Sequence, residues 1–127
     1  PRWPYGSDAL SEVGHDTAVA LTEGAIDAAS FNALARRAGA DVVALALPSV
    51  TAWDARWFRV LAGRPLISAL DNDEAGRKHT PGMVERLRAV ARRGAVTVRV
   101  PSGPEGAKDW NDVLRSRVTA AAKTEAA

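Results

Sequence analysis

The chain predicts an α/β fold, a central four-stranded parallel sheet flanked by helices. Two observations carry this. Short apolar runs alternate with stretches of helical period along the sequence. The runs are apolar at consecutive positions, the mark of strands covered on both faces.

Each element has its own signal. Thr17–Leu21 (TAVAL) is a buried strand. The stretch Ala25–Ala38 places Ile26, Ala29, Ala33 and Leu34 on one helical face, and Gly39 stops it. Asp41–Leu47 is the second strand, closed by Pro48. Thr51 and Asp54 have the spacing of a capping box, and Trp53, Trp57, Val60 and Leu61 then recur at helical spacing up to Gly63. Pro65–Leu70 is the third strand. A helix from Glu74, bent near Pro81, carries Met83, Leu87, Val90 and Ala91 on one face and ends at Gly94. Ala95–Val100 is the fourth strand, Pro101–Lys108 a Gly/Pro loop, and Trp110–Arg117 a last helix with Asp109 as a candidate N-cap. Residues 1–16, punctuated by Pro1, Pro4, Gly6, Ser7 and Gly14, read as a linker from which Trp3 and Tyr5 pack back. Residues 17–117 form the domain and 118–127 a flexible, Ala-rich tail.

Composition narrows the chemistry. The 127 residues contain no cysteine and two histidines, His15 and His79. Disulfides, thiol nucleophiles and Cys-based zinc sites are thereby excluded. Chemistry here rests on carboxylates. No apolar run suits a bilayer span and no signal-peptide pattern is present, so a cytoplasmic protein with no membrane partner is expected. Charge is uneven. Residues 1–35 hold five acids against Arg2, whereas 75–100 hold seven bases against Glu85. Of 17 basic residues 14 are Arg, the better phosphate partner. This suits a polyanionic ligand, and it equally describes a solvated helix face.

In parallel sheets ligands sit beyond the carboxyl ends of the strands. Three of the four predicted strands lead there to acids: Thr22-Glu23-Gly24 with Asp27 one turn on, Asp71-Asn72-Asp73-Glu74, and Lys108-Asp109-Trp110-Asn111-Asp112. Carboxylates crowded on one edge repel unless a cation lies among them, and oxygen-only ligands favour Mg²⁺ or Mn²⁺. Asp71 and Asp73, two apart, share a side of an extended stretch. Gly24 admits a ligand where a Cβ would obstruct it. Plainer roles exist for each residue. Glu23, Asp73 and Asp109 would serve as helix caps, Asp27 as an ion-pair partner, and Trp53 and Trp57 as core.

The ordered set resembles the Toprim domain, the Rossmann-like catalytic fold shared by DnaG-type primases, type IA and type II topoisomerases, OLD-family nucleases and RecR-like proteins. The resemblance is carried by Leu21–Ala28, Leu47–Thr51, Asp71–Lys78 and Lys108–Asp112, and spans roughly residues 17–115. Asp71–Lys78 looks most like the primases and the primase-helicases of phages and plasmids. The resemblance implies a DNA-replication enzyme, a Mg/Mn-dependent nucleotidyltransferase of the DNA primase type. Glu23 is then a metal ligand and general acid/base, Asp71 and Asp73 are catalytic metal ligands, and Asp27 and Asp109 are accessory metal ligands. Those primases tend to carry a second acid after the Lys-Asp pair, where this chain has Asn111 beside Asp112.

Nucleotidyl transfer needs an activated 3′ hydroxyl and neutralised phosphate charge, which two divalent ions supply together. Gly24, Arg77, Lys78 and Lys108 are the candidate nucleotide- or phosphate-binding residues. Arg86, Arg88, Arg92 and Arg93 are candidates to follow a nucleic-acid backbone, although helical spacing cannot put all four on one face. The expected partners are a single-stranded DNA template, NTPs and a replicative helicase in cis or trans. No zinc module or further basic subdomain fits in the chain. It is therefore expected to be a fragment of a larger protein or a small partner-dependent one, able to bind Mg²⁺ or Mn²⁺ but a poor primer-maker alone. Two alternatives share the residues: an OLD-like nuclease that uses the acids on water, and a non-catalytic module that binds nucleic acid or protein.

Overall fold

The computed structural model describes residues 3–49, 54–103 and 106–126. Strands β1 (Ala18–Thr22), β2 (Val42–Ala46), β3 (Leu66–Ser68) and β4 (Val96–Val98) form one sheet in the order β2-β1-β3-β4, and every adjacent pair is parallel. Helices α1 (Ala25–Ala38), α2 (Ala55–Leu61), α3 (Glu74–Arg88) and α4 (Trp110–Ala126) alternate with them. The expected α/β architecture is the one found.

Side chains alternate across the strands and divide the core in two. On one face Val19, Leu21, Leu45 and Leu66 meet Trp57 and Leu61 of α2 and Met83 and Leu87 of α3. On the other, Ala20, Ala44, Ala46 and Ala69 meet Ala28 and Phe31 of α1, with Trp110 of α4 packed against them. Burying one of the leucines contributes roughly 1.5–3 kcal/mol. The alanine face contributes less per residue and leaves room for the large rings of Phe31 and Trp110.

The strand order positions the site. From β1 the chain steps outward to β2, then returns past β1 to β3 and β4. With crossovers of a single hand, that reversal sends α1 to one face and α2 and α3 to the other. The carboxyl ends of β1 and β3 therefore lie side by side where the winding reverses, the place where sheets of this kind take ligands.

Residues 3–13, read from their turn-forming residues as linker, pack onto the domain. Tyr5 pairs antiparallel with Ala46, its amide donating to the Ala46 carbonyl at 2.8 Å and its carbonyl accepting from the Ala46 amide at 3.1 Å. A 3-10 turn follows at Ser7–Glu12 and buries Leu10 in the larger core. The physical reason is the outer edge of β2, whose backbone needs partners. Asn32 of α1 supplies the rest: its Oδ1 accepts from the Ala44 amide at 2.8 Å and its Nδ2 donates to the Ala44 carbonyl at 3.3 Å.

Boundaries shift elsewhere. Helix α2 starts at Ala55 because Asp54 caps it, accepting from the Arg56 amide at 2.9 Å. The proposed capping partner Thr51, and Trp53, lie outside the described residues. Helix α3 runs through Pro81 and stops at Arg88, short of Gly94. Val90 and Ala91 continue the apolar pattern without continuing the helix, the Val90 carbonyl accepting from the Gly63 amide at 2.9 Å. Arg93 (φ 55) and Gly94 (φ 69) then turn the chain into β4. Helix α4 continues past Arg117 to Ala126, through the stretch expected to be a tail. No helix of the described residues is long and apolar enough to cross a membrane.

At the amino ends of the strands, two arginines act as ties. Arg64, 4% exposed, donates from Nη1 to the Gly14 carbonyl at 2.8 Å and from Nε to the Val60 carbonyl at 3.2 Å. Arg92 donates to the carbonyls of Gly63 and His15 and pairs with Asp16 at 2.7 Å. Arg92 is thus committed at the end of the sheet opposite the acids, which removes it from the set expected to follow nucleic acid beside them.

Ser68 is fully buried in β3, and its hydroxyl has no hydrogen-bond partner among the described residues. An unsatisfied buried hydroxyl costs more than its removal. Ser68→Ala should therefore raise the unfolding free energy by about 1 kcal/mol, read as a higher urea midpoint at unchanged slope.

Candidate functional site

The acids meet at the carboxyl ends of β1 and β3. Thr22 ends β1 fully buried, its hydroxyl in reach of the Leu45 carbonyl at 3.2 Å and the Gly24 carbonyl at 3.3 Å. This fixes the turn that carries Glu23. The Glu23 carboxylate then accepts from the Asp71 amide, Oε2 to N 2.7 Å, across the two strand ends. Asp27, in the first turn of α1, accepts from the Asn111 amide at 3.3 Å and hydrogen-bonds the Asp71 carboxyl group. Asp73 caps α3, accepting from the Gly76 amide at 2.7 Å. Asp109 accepts from the Asp112 amide at 2.8 Å at the start of α4.

Sequence reading set capping against function for Asp73 and Asp109. The structure shows both capping through one carboxylate oxygen, and both charges act on Asp71. Glu23, Asp73 and Asp109 each spend one oxygen on a backbone amide and retain a second. The cluster's electrostatics centre on Asp71. Burial, and then the charges of Glu23, Asp27, Asp73 and Asp109, push its carboxyl up to about 8. Burial also raises Asp27, with the Asn111 amide opposing. Asp71 Oδ1 is buried without a hydrogen-bond partner among the described residues.

Among the described residues no three acidic or histidine side chains are grouped so as to hold a metal ion. The donor chemistry nevertheless fits a hard divalent cation: all-oxygen ligands, a buried carboxylate oxygen without a partner, and mutual repulsion that positive charge would relieve. Of the expected ligands, Glu23 and Asp71 are joined directly, and the charges of Asp27, Asp73 and Asp109 act on Asp71.

The phosphate-binding candidates divide. Arg77 is exposed and donates from Nη1 to Asn72 Oδ1 at 3.2 Å, which leans it over the acidic loop. The Lys108 backbone joins the same loop, its carbonyl accepting from the Asn72 amide at 2.6 Å and its amide donating to Asp112 Oδ2 at 3.1 Å, while its side chain is exposed. Lys78 is exposed on α3. Gly24 has φ −137, open to any residue, and a Cβ there would meet only Asp27 Oδ2 at an ordinary 3.7 Å. No packing of the described protein demands a glycine at 24.

Sequence reasoning missed Asn72, which also binds the Pro101 carbonyl at 3.2 Å, and Gly76. A Cβ on Gly76 would lie 1.9 Å from the Asp71 carbonyl oxygen, so the first turn of α3 rests directly on the Asp71 peptide. A glycine inside a helix's first turn, where it weakens the helix, was the available signal. Asn111, the departure from the primase pattern, accepts from Ser30 Oγ at 3.3 Å and joins α4 to α1. Asp112 is occupied by the Lys108 amide.

A family model described as Toprim-like matches residues 20–114, a span that includes every acid of the cluster. No curated protein and no solved structure matches the chain.

Two outcomes follow. Asp71 has an ordinary value of 3.8 and a folded value of about 8, so between them the native state holds a proton that the unfolded chain releases. Stability of the metal-free protein should fall as pH rises through that window, and Asp71→Asn should flatten the fall in thermal melts. Gly76→Ala, although favourable in an ordinary helix, should cost roughly 1–3 kcal/mol here, measured by chemical unfolding.

Proposed function

Because the chain belongs to the Toprim-like family of metal-dependent nucleic-acid-processing proteins, we propose that it performs metal-dependent nucleotidyl transfer in primer synthesis. The carrying observation is the contact of Glu23 with Asp71, which joins acids from two strand-end loops at one sheet edge. The primase-like stretch Asp71–Lys78 supports this member of the family over the others.

In this reading Glu23, Asp71 and Asp73 hold Mg²⁺ or Mn²⁺. Bound ions, two in the full reaction, supply hydroxyl activation and charge neutralisation at phosphate. Glu23 has a second carboxylate oxygen with which to accept the proton of the attacking 3′ hydroxyl. Arg77, leaning over the acidic loop, and the exposed Lys78 and Lys108 face the triphosphate as charge partners. Template and NTPs approach along the open edge, with a replicative helicase in cis or trans as the working partner.

The test is incubation of the protein with Mn²⁺, NTPs and a single-stranded DNA template, beside labelled DNA alone. Weak nucleotide incorporation is expected of the chain by itself, and Glu23→Gln should abolish it. Shortening of labelled DNA without incorporation would reassign the site to hydrolysis. Calorimetry should show Mn²⁺ binding that Asp71→Ala/Asp73→Ala abolishes; equal binding by both proteins would refute the metal site.

A further inference from the structure

Helix α4 begins with an aromatic residue that the reaction does not use. Trp110 is half-buried between the alanine face of the sheet and α1. Its ring meets Phe31 edge-on, with centroids 4.8 Å apart and planes at 81°. Its indole Nε1 donates to the Ala69 carbonyl at 2.9 Å. That carbonyl stands just beyond the end of β3, two residues before Asp71. The Ala69 amide still donates to Leu21 at 3.0 Å, so this is the last rung of the sheet.

The residues on either side of Trp110 belong to the acid cluster. Asp109 is one of the charges that raise Asp71 and Asp27. Asn111 gives its amide to Asp27. Lys108, one residue further back, is bonded to Asn72. The run 108–111 therefore spans these strand ends, and the indole is its side-chain anchor on β3. A cluster of like charges tends to spread, and the run that carries Asp109 is held against it by the Lys108 carbonyl and the indole.

We infer that Trp110 is a positioning residue: its N–H bond to the Ala69 carbonyl holds Asp109 and the Asn111 amide beside Asp71 and Asp27, and so completes the acidic pocket. This rests on the metal-binding reading above. The residue acts through Asp109 and touches neither metal nor substrate. The same carbonyl could not be reached by phenylalanine or leucine, so the role belongs to the indole nitrogen and not to apolar bulk.

Mn²⁺ alone is the probe, titrated by calorimetry into the wild-type chain, Trp110→Phe and Phe31→Leu, with thermal melts of each without metal. Trp110→Phe keeps the ring contact and loses the donor. It should weaken Mn²⁺ binding about tenfold, as loss of an outer partner of a metal ligand does, at a nearly unchanged melting temperature. Phe31→Leu should do the reverse, lowering the melting temperature and leaving the affinity unchanged. If Trp110→Phe also melts early, the Asp109→Asn background decides. There the effect of Trp110→Phe on affinity should fall well below tenfold; its persistence in full would mean loosened packing and would overturn the inference. Wild-type affinity in Trp110→Phe overturns it too. No Mn²⁺ binding by the wild type overturns the metal reading itself, and the inference with it.

Discussion

The hydrogen bond from the Asp71 amide to the Glu23 carboxylate joins residues 48 apart in sequence, and the arrangement of the site depends on it. It works against electrostatics, since the partner it brings to Asp71 is another acid. A single hydrogen bond nets about 1 kcal/mol, or somewhat more when one member is charged. Such a bond cannot by itself hold five carboxylates near one another. What lets it act is that both ends are fixed beforehand. Glu23 follows a buried threonine at the end of β1, and Asp71 lies under the first turn of α3, against a glycine without a Cβ. The bond then selects between two already rigid loops, and the remaining repulsion is expressed in the raised Asp71 carboxyl.

The two-sided core supplies that rigidity unequally. Leucine and valine on the α2/α3 face provide most of the apolar burial. Alanine on the other face gives α1 and α4 a shallow surface into which Phe31 and Trp110 fit. The helices of this second face bring Asp27 and Asp109, the accessory acids, to the carboxyl ends of the strands. The first face brings Asp71 and Asp73 through β3 and α3. The site thus draws its acids from both sides of one sheet, and they meet where the winding reverses.

Much of this was legible in the sequence. Four strands, their parallel arrangement and the bounds of α1 follow from apolar runs and helical period, because buried strands and amphipathic helices impose those patterns directly. The acids following strands one, three and four were legible too, since topology sends strand ends to a common edge. Contacts made by backbone atoms were not. Tyr5 pairs with Ala46 through main-chain groups that any residue has, so its turn-rich surroundings read as linker. Val90 and Ala91 kept an apolar rhythm through a stretch that is not helical. Gly76 and Asn72 serve distances to one peptide and one carbonyl, which no local pattern encodes. Arg92 misled for a related reason: sequence shows its charge, but the structure spends it on carbonyls and Asp16 at the far end of the sheet.

The same logic accounts for Asn111, where the chain departs from the primase pattern. Its side-chain oxygen accepts from Ser30, a contact an aspartate would also make, and its amide serves Asp27 as any residue's would. What the asparagine changes is charge. An aspartate would add a further carboxylate to the four that already push Asp71 far from its ordinary value. A cation that fills its shell with phosphate oxygens and water needs few protein ligands. Beyond those few, each added acid increases repulsion in the empty pocket with little return in coordination. A neutral residue that ties α4 to α1 is then the better occupant, because it holds the existing acids in place without adding to the charge they must tolerate.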